Sequence, residues 1–299
     1  MKTVLQTNFN GIDGLTITDT AKPVLTDNGV LIKMAVLPIS PTDWKLESDT
    51  HATDEQQDKL PRIIWFQGTG TVVSVGKNRD QSLLDQRVLV INPAGVYSEF
   101  VLNENPDWMY PLPANVSDES AAALSAGTAW TLKQQIDKSK AANIVITGAN
   151  SVIGLTLLQM LADESRPIYP IVTAASKPYF IEQMPRLTPY TLDEHLTISG
   201  SSIVLDIVGR LDMLTTLEKR LSQPEIVSIA LMQAPTLNNF TFVHDEFNAD
   251  RYRLFIKQLS EGKLTALINR IFPIEQVKKA QHFAKETHSR GRVLVTFDH

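Results

Sequence analysis

The chain has 299 residues, a formal net charge of -5, and a composition that is 43% hydrophobic and 20% charged. That describes a soluble globular protein of one large or two ordinary domains, long enough to bury a sizeable core. The acidic balance gives no reason to expect nucleic acid or an anionic membrane as partner, and the absence of cysteine excludes disulfides and thiolate metal sites and suits a reducing cytoplasm.

MKTVLQTNFNGIDG, at the start, holds no apolar run long enough for a signal peptide, and nothing approaches the ~18 apolar residues of a membrane span. Residues 1 to about 115 carry short β-type runs: VLIKMAVL (30–37), TVVSVG (71–76) and RVLVINPAG (87–95). Gly, Pro, Asn and Asp punctuate them, which predicts a barrel or sandwich. SDTHATDEQQDK (48–59) reads as a polar surface loop without chemistry.

The middle of the chain alternates. Ser117 predicts the cap of a helix through DESAAALSAGTAWTLKQQI, with Asp118 and Glu119 in its first turn as the helix dipole favours. Strand-like IVIT (144–147), helix-like GLTLLQMLA (154–162), and strand-like IYPIVT (168–173), SIVLDIVG (202–209) and IVSIAL (226–231) follow. Continuous apolar strands alternating with helices predict a parallel sheet covered on both faces. Between 176 and 200 the pattern is poor, with Pro178, Pro185 and Pro189 interrupting it. FTFVHDEF (240–247) is partly strand-like. Helices are expected at 249–262 and 274–291, and a closing strand, RVLVTF, at 292–297.

IVITGANSVIG (144–154) is a strand, a turn and a helix start, the arrangement in which helix N–H groups and the dipole attract a phosphate. Gly148 would permit the tight turn, and Gly154 close helix–strand packing. Ser151 stands where a middle glycine is expected. Its Cβ limits backbone approach, while its hydroxyl can donate to a phosphate oxygen. Asn150 tolerates the left-handed region. From the loop alone, a phosphate site and a plain strand–helix junction both stay open. No acid lies in SRPIYPIVTAASKPYFI (165–181), where an NAD-specific fold would hold the ribose hydroxyls. Ser176 and Lys177 could receive a 2′-phosphate instead, which favours NADPH. The competing reading of Lys177 is a solvated surface lysine.

In order and spacing, several segments resemble the zinc-free quinone oxidoreductase-like branch of the medium-chain dehydrogenase/reductase superfamily. They are SPTDWK (40–45), GTGTVVSVG (68–76), VYSEFV (96–101), LPANVSDESAAALSAGTAW (112–130) and, above all, GKLTALINRIFPIEQVKKAQHFAKETHSRGRVLVTF (262–297). The resemblance implies an α/β protein with a GroES-like β-barrel domain, residues 1–117 and 262–299, and a doubly wound Rossmann-type domain, residues 118–261. Thr128 matches a threonine near the nicotinamide, and Ser40 stands where the branch often has Asn beside that ring. Gly148, Asn150, Ser151, Val152, Ile153 and Gly154 match its phosphate loop, with Ser151 and Val152 replacing two central glycines. Ser176 matches a serine that holds the adenosine phosphate. The family's lysine falls a few residues after Lys177. Val208, Gly209, Ile229 and Ala230 lie at strand ends that border the cofactor. Arg292 stands for a closing lysine, against a competing reading as a strand-edge surface charge.

Zinc members of the superfamily carry Cys and Gly-His-Glu. Here Ser40 takes the first ligand position, Trp65-Phe66-Gln67 replaces Gly-His-Glu, and the lobe of four cysteines has no counterpart. His282 and His288, six apart, do not share a helix face. Without a Lewis acid to stabilise an alkoxide, conjugate reduction is favoured over alcohol oxidation. The expected activity is therefore zinc-independent transfer of hydride from NADPH to a quinone or α,β-unsaturated carbonyl compound, in a cytoplasmic protein. Lys45 is the expected enolate stabiliser, on a segment with Asp43 and Trp44 that would line the cleft. Asp43 as a turn residue and Trp44 as a core aromatic compete with that. An NADPH-binding sensor or structural protein without turnover, and an enoyl-thioester reductase, are the alternatives. The resemblance also implies a homodimer.

Overall fold

The computed structural model describes residues 1–48, 58–124, 126–194, 197–287 and 290–297. It divides into two compact units, 1–124 with 249–299, and 125–248.

The first unit is built on a seven-stranded sheet. Its longest member, Val30–Ile39, is almost continuously buried because both its faces are covered, Ile32 and Met34 by the main core and Val36 by Ala122 and Ala123. Gln67–Val75 and Phe100–Asn103 run antiparallel to it, and so does the closing strand Arg292–Thr296, with Val293 opposite Ile39 and Thr296 opposite Val36. The C-terminal tail is thus a structural member of the N-terminal unit. Val30, Ile32, Met34, Val72, Val88, Val90, Val293 and Val295 meet in one apolar core. This is the sheet domain of the GroES-like plus Rossmann architecture.

The expected boundaries at 117/118 and 261/262 and the compact units differ in two helices. Helix Asp118–Ala122, capped by Ser117 as its sequence predicts, ends at Ala123, and a separate helix, Ala126–Lys138, follows. Ala122 and Ala123 pack on Val36 and Leu294 of the first unit. Helix Ala249–Ser260 joins the same unit because Ile256 is buried against Leu89, Tyr110 and Leu112. The apolar faces of these helices, not their place in the chain, decide which core they complete.

The second unit is a five-stranded, wholly parallel sheet. In space the strands run Ile168–Ile171, Asn143–Thr147, Ser202–Asp206, Glu225–Ser228 and Phe240–Phe242. The chain steps outward from 143–147 to 168–171, then returns to 202–206 on the other side. The strand order therefore reverses between 143–147 and 202–206, the doubly wound pattern, and a ligand crevice forms outside the carboxyl ends at such a reversal. The partly strand-like 240–247 supplies the edge strand. Helix Lys177–Gln183 lies in the stretch that gave no pattern. Pro178 falls in its first turn, where the missing N–H costs nothing. Among the described residues no helix is long and apolar enough to cross a membrane.

Candidate cofactor site

Strand Asn143–Thr147 is buried at every position and delivers the chain to the reversal point. Gly148 turns it with φ +61°, and a Cβ there would lie 2.9 Å from Val208 Cγ2. The turn closes with Ser151 N–H donating to Gly148 O at 2.9 Å, while Ala149 N–H reaches Ile171 O of the second strand at 3.3 Å. Asn150 is buried within it. Ser151 then adopts extended backbone and caps the nine-residue helix Val152–Met160, its Oγ accepting from Gly154 N–H at 3.1 Å. A Cβ on Gly154 would stand 2.7 Å from Ala149 Cα, so the expected close packing is real.

Ser151 therefore acts as a cap at the place where a glycine was expected. Accepting one bond leaves the hydroxyl its own proton to donate. The N–H groups of Val152 and Ile153, in the first turn, have no acceptor within the helix and point out of its end. This is an anion-binding geometry, reinforced by the helix dipole.

The carboxyl ends are tied together by a residue the sequence did not single out. Asp206 is fully buried. It accepts from Thr147 Oγ1 at 2.8 Å and from Ser228 Oγ at 2.7 Å. Val208 N–H and Gly209 N–H donate to it at 3.1 Å. One carboxylate thus joins three strands and the loop 207–209. Ser228 Oγ also accepts from Ala230 N–H at 3.1 Å, and Ile229 N–H donates to Asp206 O at 3.1 Å. Val208, Gly209, Ile229 and Ala230 are accordingly set at the same edge as Gly148. Val208 is 40% exposed there, and at Gly209 both the φ of +76° and the space favour glycine, since an added Cβ would lie 2.9 Å from Ala230 Cβ. An acid inside the apolar run SIVLDIVG was the available signal.

Thr128 lies half-buried near the start of helix Ala126–Lys138. Beside it, Gly127 leaves room for the Asp245 carboxylate, to which Thr131 Oγ1 donates at 3.3 Å. Ser176 is buried, its hydroxyl 3.0 Å from Thr173 Oγ1. Lys177 is not merely solvated, since its Nζ pairs with the Glu194 carboxylate. That ion pair holds the Glu194 carboxyl below the usual range. Glu194 lies in the unpatterned stretch, and no local signal pointed to it.

The first unit corrects other expectations. Asp43 has the place of a turn residue. It is buried, and its Oδ2 accepts from Ser40 N–H at 2.8 Å, so it closes the N-terminus of helix Pro41–Glu47. Burial pushes its carboxyl well above the usual range, against the Ser40 N–H. Ser40 is itself buried at the cap. Trp44 packs on the apolar core, while Lys45 is exposed. Arg292 is neither at a surface nor at a strand edge. It is buried, beside Asp43, with Nη1 donating to Ile39 O at 3.1 Å, and burial lowers its basicity. Gln67 is buried and binds Ala122 O, Leu124 O and Tyr252 Oη, tying three segments together. Among the described residues no group of three or more His, Cys, Asp or Glu side chains could hold a metal ion. His288 and most of 48–59 lie outside the described residues.

No family model matches the chain. It is 30% identical over 146 residues to the quinone oxidoreductase of Sus scrofa, 48% of this chain and 43% of that one. It is 28% identical over 149 residues to the mitochondrial enoyl-[acyl-carrier-protein] reductase of Caenorhabditis elegans, 48% and 42% of the two chains. The chain thus matches less than half the length of either relative. The solved structure of the quinone oxidoreductase from Coxiella burnetii has the same fold, with a TM-score of 0.84, 21% identity and 100% and 99% of the two chains covered.

Proposed function

We propose, for a chain that belongs to the medium-chain dehydrogenase/reductase superfamily, a zinc-independent reductase that uses NADPH to reduce a quinone or an α,β-unsaturated carbonyl compound. The observation that carries this reading is the loop 148–154 at the reversal point of the parallel sheet, beside strand ends that the Asp206 carboxylate ties together. Its residues fit a dinucleotide. Gly148 and Gly154 make the two close approaches, and Ser151, Val152 and Ile153 present donors at a helix N-terminus. Bound there, a reduced nicotinamide supplies a hydride, and the protein contributes position and electrostatics.

In this reading Ser176 and Lys177 hold the adenosine side, and Thr128, Val208, Gly209, Ile229 and Ala230 border the nicotinamide side. Lys45, exposed on the helix that Asp43 caps, offers a cation to the enolate formed when hydride reaches the β-carbon. Ser40, Phe66 and Gln67, where the zinc members carry Cys, His and Glu, support a reaction without Lewis-acid activation of an alcohol. A homodimer belongs to the same proposal.

The test is binding followed by turnover. Titration of NADPH against tryptophan fluorescence should give saturable quenching, and a panel of quinones and enones should then consume NADPH. Failure to bind at millimolar concentration removes the reading. Binding without consumption across the panel would favour a sensor. A second reductase reading is favoured by the enoyl-reductase relative, namely that the acceptor is a 2-enoyl thioester. Faster turnover of such a thioester than of any quinone would select it.

A further inference from the structure

The end of the second parallel strand is free of acids in the sequence and not in the fold. Beyond Ile168–Ile171 the chain passes through helix Lys177–Gln183 and then comes back along the strand. Tyr190 N–H donates to Pro170 O and Val172 N–H to Tyr190 O, both at 2.8 Å, which brings the segment after Tyr190 to the end of the strand. The Arg220 guanidinium holds that segment by donating to the carbonyls of Leu192 and Glu194. Glu194 is placed in this way, its carboxylate on Lys177 Nζ and accepting from Thr191 N–H at 2.7 Å. Neither side chain of the pair is shut from solvent, with exposures of 27% for Lys177 and 45% for Glu194.

We infer that Glu194 is a specificity-determining residue that opposes the 2′-phosphate of the cofactor. This rests on the nicotinamide-cofactor reading above. The end of the second strand is where a dinucleotide fold meets the adenosine ribose, and an acid or a cation there decides between hydroxyl and phosphate. Lys177 supplies the cation, and Glu194 already occupies it. A 2′-phosphate must displace Glu194 and then lie beside its charge. A 2′-hydroxyl meets no such repulsion and can donate to the carboxylate. The preference for NADPH is therefore held well below what Ser176 and Lys177 would give alone.

The substitution Glu194→Gln tests this, because the amide oxygen still accepts from Thr191 N–H while the charge is gone. NADPH and NADH would be titrated by tryptophan fluorescence against the unaltered chain, Glu194→Gln and Lys177→Gln, with thermal melts to check that all three are folded. Screened charges at such a partly exposed site give about a fivefold tightening of NADPH in Glu194→Gln, with NADH unchanged or weaker, and about a fivefold loss of NADPH in Lys177→Gln. If both nucleotides bind and the ratio of their dissociation constants does not move in Glu194→Gln, or moves toward NADH, the role of Glu194 is overturned while the cofactor reading stands. If the unaltered chain binds neither nucleotide, both fall.

Discussion

The Thr147 hydroxyl donates to the Asp206 carboxylate across 2.8 Å, with both side chains fully buried. The two residues end adjacent parallel strands on either side of the strand-order reversal. Every partner of this carboxylate described above is a donor. Substitution Asp206→Asn would turn one oxygen into an amine facing a donor. We expect a loss of about 1–3 kcal/mol in unfolding free energy. Cofactor affinity should fall with it, because loops 207–209 and 229–231 lose their anchor. Urea unfolding and nucleotide titration together check this, and an unchanged midpoint would sink it. Thr147→Val, which in nearly the same shape removes both the donation to Asp206 and the bond accepted from Ile207 N–H at 3.2 Å, should cost about 1–3 kcal/mol.

Ser151 separates two demands on one position. As a cap it stabilises the helix, so Ser151→Ala should lose about 1 kcal/mol, whereas glycine at a cap costs only a few tenths. If the Cβ impedes a pyrophosphate, Ser151→Gly should tighten NADPH at little cost in stability. If the hydroxyl is a phosphate donor, the same substitution should weaken it. Paired melts and titrations distinguish the two, and the cap geometry leads us to expect weakening.

At Gly154 the outcome is more severe. A methyl group would meet backbone atoms of Ala149 at 2.7 Å, and backbone cannot swing aside as a side chain does. Gly154→Ala should cost about 1–3 kcal/mol by overpacking. It should also shift the loop enough to abolish nucleotide binding. Normal affinity in a stable variant would contradict the loop assignment.

Glu47 offers a pH prediction in the first unit. It is buried, Gln281 Nε2 donates to its Oε1 at 2.9 Å, and burial raises its carboxyl above the ordinary 4.5. Glu47 Oε2 and Gln281 Oε1 are both buried without a hydrogen-bond partner. A proton on Oε2 would serve both. Because the folded carboxyl holds its proton more tightly than the unfolded one, this contribution is full below pH 4.5 and is lost as pH rises through the folded value. Glu47→Gln carries the donor permanently. It should add about 1 kcal/mol at pH 7.5 and little at pH 4.5, measured by urea unfolding at both. Equal effects at the two pH values would show that Glu47 is not the titrating group.

Much of the architecture was legible in the sequence. The apolar runs at 144–147, 202–206 and 226–228 are strands because buried parallel strands need no polar face. The capped helix after Ser117 is where its cap puts it. Helix Lys177–Gln183 was hidden by Pro178, which breaks a helix in its interior and suits one in its first turn. The candidate site was half legible. Loop 148–154 announces itself because its residues are contiguous. Asp43 and Arg292 are 249 residues apart, and nothing local says that burial beside each other makes them structural.

By itself the sequence determined which segments are strands and helices and where a phosphate loop could form. These follow from periodicity, caps and glycine placement, which act over a few residues. Only the tertiary structure decided that Asp206 joins three strand ends, that Ser151 caps the helix after its loop, and that Glu194 stands on Lys177. Each depends on hydrogen bonds or charges between segments that the folded sheet brings together, and electrostatic contact is set by distance in space, not by separation along the chain.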